Sequence, residues 1–193
     1  VIDKETFKTE VPKLRSALLD VQYDMLEKKE FPVVILISGV DGSGKGETIN
    51  LLYSWMDPRH ISTLAFAEPS DEERLRPYMW RYWRALPPQG KIGVFAGSWY
   101  SQPIAYRIAN KMERDEMDER LDEINRFEAM LVNEGALVLK FWFHLSRDGQ
   151  KQRLKALEAN PHTAWRVTKD SYERVKTYDK LQQLSQRLNI RMS

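Results

Sequence analysis

One junction limits what this chain can fold into more than any other. Val33 to Ser38 reads VVILIS, a β-branched run without polar alternation, bounded by Pro32 and Gly39. Such a run predicts a strand buried on both faces, as in a parallel sheet. GVDGSGKGET, Gly39 to Thr48, follows at once, and then Ile49, Leu52, Tyr53 and Met56 recur at helical spacing. A strand, a glycine-rich turn ending in lysine and a helix form the setting of a phosphate-binding loop. Glycines let backbone N–H groups turn inward around phosphate oxygens, and the helix N-terminus adds a favourable dipole. Gly39, Gly42, Gly44, Lys45, Gly46 and Thr48 are the candidate phosphate- or nucleotide-binding residues, with Lys45 as the point charge for the outer phosphates. The plain alternative is a glycine-rich turn that only joins strand to helix.

Two residues depart from the usual loop. Gly46 stands where Ser or Thr would touch magnesium, and Asp41 puts a carboxylate where phosphate would be repelled unless a cation lay between them. The departures fit together if Asp41 supplies the Mg2+ ligand that residue 46 lacks. A hydrogen bond within the loop is the plain alternative for Asp41.

The remaining pattern alternates strands and helices. An amphipathic helix is predicted over residues 5–28, with Leu14, Leu18, Val21 and Met25 at three- and four-residue spacing. Further strands are expected at Ser62 to Phe66, Ile92 to Phe95 and Ala136 to Leu145. Helices are expected from Pro69 to Arg84, from Ile104 to Asn133, and over most of the chain from Asp148, with a break at Asn160-Pro161. With no hairpin signal and no repeat, the pattern predicts one α/β domain over residues 1–193, a parallel sheet covered on both faces. Trp80 and Trp83, three apart, read as core or interface packing rather than a base-stacking platform, and Trp142 reads as core.

Composition narrows the function. The chain has no cysteine, which excludes disulfides, thiolate metal sites and cysteine catalysis and suits a cytoplasmic setting. His60, His144 and His162 lack metal-ligand spacing. No apolar run approaches a membrane span. Lys111 to Glu134 holds nine acids against four bases, and Arg147 to Ser193 holds eleven bases against five acids. The acidic stretch reads as a solvated helix face; the basic one is either solvated or a polyanion site. Nucleic acid is a weaker reading, resting on those basic residues alone.

The ordered segments then resemble the polyphosphate kinase type two family, phosphate-loop enzymes that move phosphate between inorganic polyphosphate and nucleotides. The family pattern G-x-D-x-x-G-K-G is met by Gly39, Asp41, Gly44, Lys45 and Gly46. MDPRH from Met56, EPSDEE from Glu68, RYWRALPPQGKIGVF from Arg81, SWY from Ser98, KFWFHLS from Lys140, QKQRLKAL from Gln150 and the segment from Trp165 to Asp170 continue the likeness along the chain. The resemblance implies a P-loop NTPase-like, thymidylate-kinase-like fold: a central parallel sheet, flanking helices and a helical lid. It implies in-line phosphoryl transfer with Mg2+, AMP to ADP foremost, with ADP or ATP as further nucleotide partners. It assigns catalytic roles to Asp41, Lys45, Arg81 and Arg153, and it implies a homo-oligomer.

The same likeness marks a departure. Active members run F-D-R-S-W-Y-N-R after the third strand. Here Phe95, Ser98, Trp99 and Tyr100 match, but Ala96 replaces the aspartate that would be the second metal ligand, Gly97 replaces the arginine, and Ser101-Gln102 replace N-R. Glu47 and Glu68 are the nearest acids by sequence. The family domain also continues past the equivalent of Arg191. The expectation is therefore a weak or inactive domain, truncated at its C-terminus, from a tandem polyphosphate:AMP phosphotransferase with a second fused domain. The alternatives are an active enzyme whose metal is held by Asp41 and a substitute acid, a non-catalytic polyphosphate- or nucleotide-binding or dimerisation module, and an ordinary nucleotide kinase.

Overall fold

A computed structural model describes residues 2–191. Four strands form one parallel sheet: β1 (Val33–Gly39), β2 (Ile61–Ala65), β3 (Ile92–Ala96) and β4 (Leu137–Phe143), in spatial order β2-β3-β1-β4. The VVILIS run lies at the centre, between β3 and β4. Register pairs Ile37 with Ala96 on one side and with Phe141 on the other. Val33 to Ile37 are all buried, which explains the missing polar alternation. The chain leaves β1 and β3 towards opposite sides of the sheet, so a crevice opens at their carboxyl ends.

Helices cover both faces. One core joins Leu36, Phe95, Trp99, Leu121, Ile124 and Phe127; the other joins Met25, Ile35, Ile37, Met56 and Val94. The helices are α1 (Lys4–Lys28), α2 (Lys45–Trp55), the short α3 (Asp71–Arg74) and α4 (Trp80–Trp83), α5 (Ser101–Ile108), α6 (Arg114–Asn133), α7 (Arg147–Ala159), α8 (Lys169–Lys176) and α9 (Tyr178–Arg191). Helices α7 and α8 lie beside the crevice as the helical lid, in the P-loop NTPase-like architecture that the family likeness implied.

Three expectations need correction. The helix over 69–84 is two short pieces, because Pro77, between α3 and α4, lacks an N–H and disfavours helix in the residue before it. The region 104–133 is also two helices, parted near Asn110, which has a positive φ of 54°. In α1 the apolar residues do not share one buried face. Met25 is buried and Leu18 packs on the core, whereas Leu14 and Val21 are exposed. Trp142 packs against the first core as read, and Trp83 sits half-exposed with its ring edge to Phe127.

Candidate functional site

The turn after β1 is shaped by backbone that only glycine allows. Gly39 has φ +140°, and a β-carbon there would lie 2.0 Å from the carbonyl oxygen of Phe143. The start of the loop is thus pressed against the end of β4. Val40 N–H donates to that same carbonyl at 3.1 Å. Gly46 is a different case: a β-carbon there meets nothing within 4 Å. The absence of Ser or Thr after Lys45 is therefore not forced by packing.

Lys45 folds back on its own loop. Its Nζ donates to the carbonyls of Gly39 at 2.7 Å and Val40 at 2.8 Å. Partial burial lowers its pKa below the ordinary lysine value; the Asp41 carboxylate opposes that shift and Arg174 adds to it. Asp41 accepts from the Arg174 guanidinium at 3.0 and 3.2 Å. Glu47, in the first turn of α2, accepts from Arg166 at 2.9 Å and from Arg153 at 3.3 Å. Two carboxylates on the loop side thus hold three arginines from the lid side.

Asp41, Lys45 and Arg174 belong to a cleft of about 640 Å³, with Glu47, Arg153 and Arg166 outside its lining. Gly39, Asp41, Lys45, Glu68, Arg81, Gly97, Ser98, Gln102 and Arg174 are among its lining. Gly42, Gly44, Gly46 and Thr48 build the turn and the first helical turn beside it, and Thr48 N–H closes on the Gly44 carbonyl at 2.9 Å. Arg153 lies over Gly42 rather than in the cleft wall, with its Cγ 3.2 Å from where a Gly42 β-carbon would be. Arg81 is largely buried, 3.3 Å from Glu73 and stacked near the rings of Phe66 and Tyr82. A smaller cleft of about 280 Å³ adjoins the first at Pro69, Arg81 and Gln102, and Arg74, Arg76, Tyr78, Tyr106 and Arg120 line it as well.

Ala96 closes β3 level with Ile37, and the cleft lining takes up at Gly97, the next residue. Gly97 follows with φ +75°, and its N–H donates to the Ile37 carbonyl at 3.2 Å. The position where an arginine was expected therefore has left-handed backbone, which a side chain adopts only under strain. Asp41 and Glu68 are the acids in the cleft lining; Asp41, like Glu47, is engaged by a lid arginine. No cluster of three or more metal-ligating side chains occurs among the described residues. This donor set suits Mg2+, which takes one or two carboxylates and completes its shell with phosphate oxygens and water.

One residue was read too blandly. Glu128, within the Lys111 to Glu134 stretch that reads as a solvated helix face, is only 9% exposed. It accepts from Trp99 Nε1 at 2.9 Å, Tyr100 hydroxyl at 2.6 Å and Lys140 Nζ at 3.0 Å. It ties α6 to β4 and to the SWY segment below the cleft. Its place in the α6 stripe Leu121, Ile124, Phe127, Glu128 and Leu131 was the available signal, since four of those five are apolar.

The comparisons with known proteins agree with this geometry. The profile of the family described as Polyphosphate kinase 2 (PPK2) matches residues 1–192. A polyphosphate:AMP phosphotransferase of Pseudomonas aeruginosa is 46% identical over 192 residues, covering 100% of this chain and 39% of its own length. An AMP/ADP-polyphosphate phosphotransferase of Meiothermus ruber is 28% identical over 170 residues, covering 88% of this chain and 64% of the relative. The crystal structure of polyphosphate kinase 2 from Arthrobacter aurescens TC1 superposes with a TM-score of 0.89 at 25% identity, covering 94% of this chain and 65% of that one. This chain therefore spans well under half of the Pseudomonas relative it matches. A phosphate loop of the G-x-D-x-x-G-K-G form, a parallel sheet with a helical lid and a family match along nearly every residue lead to one conclusion: the chain belongs to the polyphosphate kinase 2 family.

Proposed function

We propose that this chain is a polyphosphate- and AMP-binding kinase domain with a weakened chemical step. The observation that carries the proposal is Ala96-Gly97 at the lip of a cleft whose phosphate loop is otherwise intact. In this reading polyphosphate lies along the loop. Lys45 exchanges the Gly39 and Val40 carbonyls for phosphate oxygens, and the loop N–H groups hold the same oxygens. Arg153, Arg166 and Arg174 leave Glu47 and Asp41 and close on the phosphates. Arg81, at the junction of the two clefts, orients the phosphate of AMP, and the smaller cleft with Tyr78 and Tyr106 takes the nucleoside.

Transfer forms a P–O bond to an AMP phosphate oxygen and breaks the terminal P–O–P bond of polyphosphate, giving ADP. Mg2+ would be held by Asp41 together with substrate oxygens, and when bound it neutralises charge on the transferred group. Ala96 and Gly97 offer neither a carboxylate nor a guanidinium to that charge. A single lost contact of this kind costs about 3 kcal/mol, so several lost together lower turnover by orders of magnitude. This chain covers 39% of the Pseudomonas relative, and in this reading a second, fused domain carries the faster chemistry.

A second reading is favoured by the internal pairing of the loop: with Lys45 and Asp41 both satisfied within the chain, the domain binds ligand without turnover. Purified chain with AMP, polyphosphate and magnesium chloride separates the readings. Slow ADP formation above background supports a weakened kinase, and none supports a binding module. Polyphosphate affinity unchanged in Lys45→Ala would sink both. Turnover equal to that of an intact family enzyme would remove the weakened step.

A further inference from the structure

Within the EPSDEE segment, Ser70 and Glu73 have no part in the proposed transfer. Both belong to the start of α3. The Ser70 N–H donates to Glu73 Oε2 at 2.8 Å, and the Glu73 N–H donates to Ser70 Oγ at 3.2 Å. This reciprocal pair is a capping box. Such a box ordinarily serves the helix behind it, but α3 is only four residues long, too short to be stable on that account. What the box does fix is the Glu73 carboxylate, tied to the main chain by one oxygen.

The other oxygen is turned to Arg81. Glu73 Oε1 lies 3.3 Å from Arg81 Nε, and the two side chains are 24 and 11% exposed. Nε is buried and has no hydrogen-bond partner among the described residues. The carboxylate thus attracts the guanidinium without saturating it. The rings of Phe66 and Tyr82 lie 5.3 and 5.7 Å from Arg81 Cζ and offer their π-systems to the same cation. Phe66 is itself tied to the sheet, its N–H donating to the Ala96 carbonyl at 3.3 Å. The closest approach of Glu73 is to the inner edge of the guanidinium fork, which leaves the two Nη groups for a ligand. Arg81 lines both clefts, and Glu73 lines the smaller.

A carboxylate beside a phosphate-binding arginine can act in two opposite ways. As a competing or screening charge it weakens phosphate binding, and its removal tightens it. As a positioning group it spares the guanidinium the orientational freedom lost on binding, and its removal loosens it. Glu47 fits the first case, since its side chain is 47% exposed and shared between two lid arginines. Glu73 fits the second, because Ser70 tethers it away from the Nη edge. We propose that Glu73 is a positioning residue: locked by Ser70, it holds the Arg81 guanidinium where the two clefts meet and presents its Nη edge to the phosphate of the acceptor. This rests on the proposed AMP site and adds the group that aims its arginine.

Calorimetric titration of AMP into the chain reads the sign. Glu73→Gln should raise the Kd for AMP about three- to tenfold, the range of coupled side chains in contact, and leave the Kd for polyphosphate within about twofold of wild type. Ser70→Ala keeps both charges and loosens only the tether, and it should shift the AMP Kd in the same direction. In an Arg81→Lys chain, Glu73→Gln should have little further effect. A second readout needs no AMP. The Nε–H nuclear magnetic resonance signal of Arg81, assigned by its loss in Arg81→Lys, should be sharp in wild type and broadened in Glu73→Gln and Ser70→Ala. Tighter or unchanged AMP binding by Glu73→Gln, an equal loss of polyphosphate affinity, or an Nε–H signal indifferent to both substitutions would each overturn the proposal. A wild-type chain that binds no AMP would overturn the AMP site instead, and the Nε–H signal would still decide whether Glu73 holds Arg81.

Discussion

Asp41 and Arg174, 133 positions apart in the chain, face each other across the phosphate loop, with the guanidinium donating to both carboxylate oxygens at 3.0 and 3.2 Å. The lid thus rests on the loop through a carboxylate, whose place phosphate takes in the proposed function. Glu47 repeats the arrangement with Arg153 and Arg166.

Removing the competing carboxylate should favour the ligand. Glu47→Gln is expected to tighten polyphosphate binding about two- to fivefold at low salt, because exposed ion pairs of this kind are worth only a few tenths to one kcal/mol. The gain should shrink as salt is added. Titration of polyphosphate against wild type and variant at two ionic strengths measures it; weaker binding by the variant would count against competition at Glu47.

The depressed pKa of Lys45 has a definite sign. In the proposed site the ammonium binds phosphate, so affinity should fall as pH rises through the lowered pKa, earlier than an ordinary lysine would allow. Bound phosphate favours the charged form and moves that fall to higher pH. For folding, the unfolded chain holds the proton more tightly than the native one, so between the two pKa values stability from this group rises with pH. Lys45→Arg should remove the alkaline loss of affinity, read from binding curves between neutral pH and about pH 10.

Ala96→Asp returns a carboxylate to the end of β3. With Asp41 it would give two acids for the metal, and ADP formation should rise at least about tenfold. Gly97→Arg should not help alone. Its φ of +75° makes any side chain cost about 1–2 kcal/mol, and the thermal midpoint should fall. Single-turnover assays and melting curves on the two variants test both statements.

Glu128 should behave as a structural anchor with an optical signature. Glu128→Ala leaves Trp99, Tyr100 and Lys140 without their shared acceptor and should cost about 3 kcal/mol or more. Glu128→Gln retains an acceptor oxygen and should cost less. Trp99 is fully buried, so its emission should shift in the alanine variant before the chain unfolds.

The sheet and loop were legible because local chemistry fixes them. A continuous β-branched run has one stable home, between two neighbouring strands, and the turn after it needs glycine where β4 presses on Gly39. The misread parts depend on distant partners. Leu14 and Leu18 look alike in sequence, but only Leu18 meets the core. Glu128 looks like its neighbours on an acidic helix until the indole of Trp99 reaches it from another element. The pairing of Asp41 and Glu47 with arginines more than a hundred residues on has no local signal. The break at Pro77 did have one, and proline chemistry should have divided that helix.

The backbone at Gly97 also makes the two replaced positions unequal. Residue 96 ends an ordinary strand, so a carboxylate there asks nothing new of the main chain. Residue 97 lies in left-handed backbone, where any side chain costs about 1–2 kcal/mol, and its β-carbon would stand 3.3 Å from the Ser101 hydroxyl. The pair divides into one position that a single replacement can refit and one whose refitting draws on the stability of the whole domain.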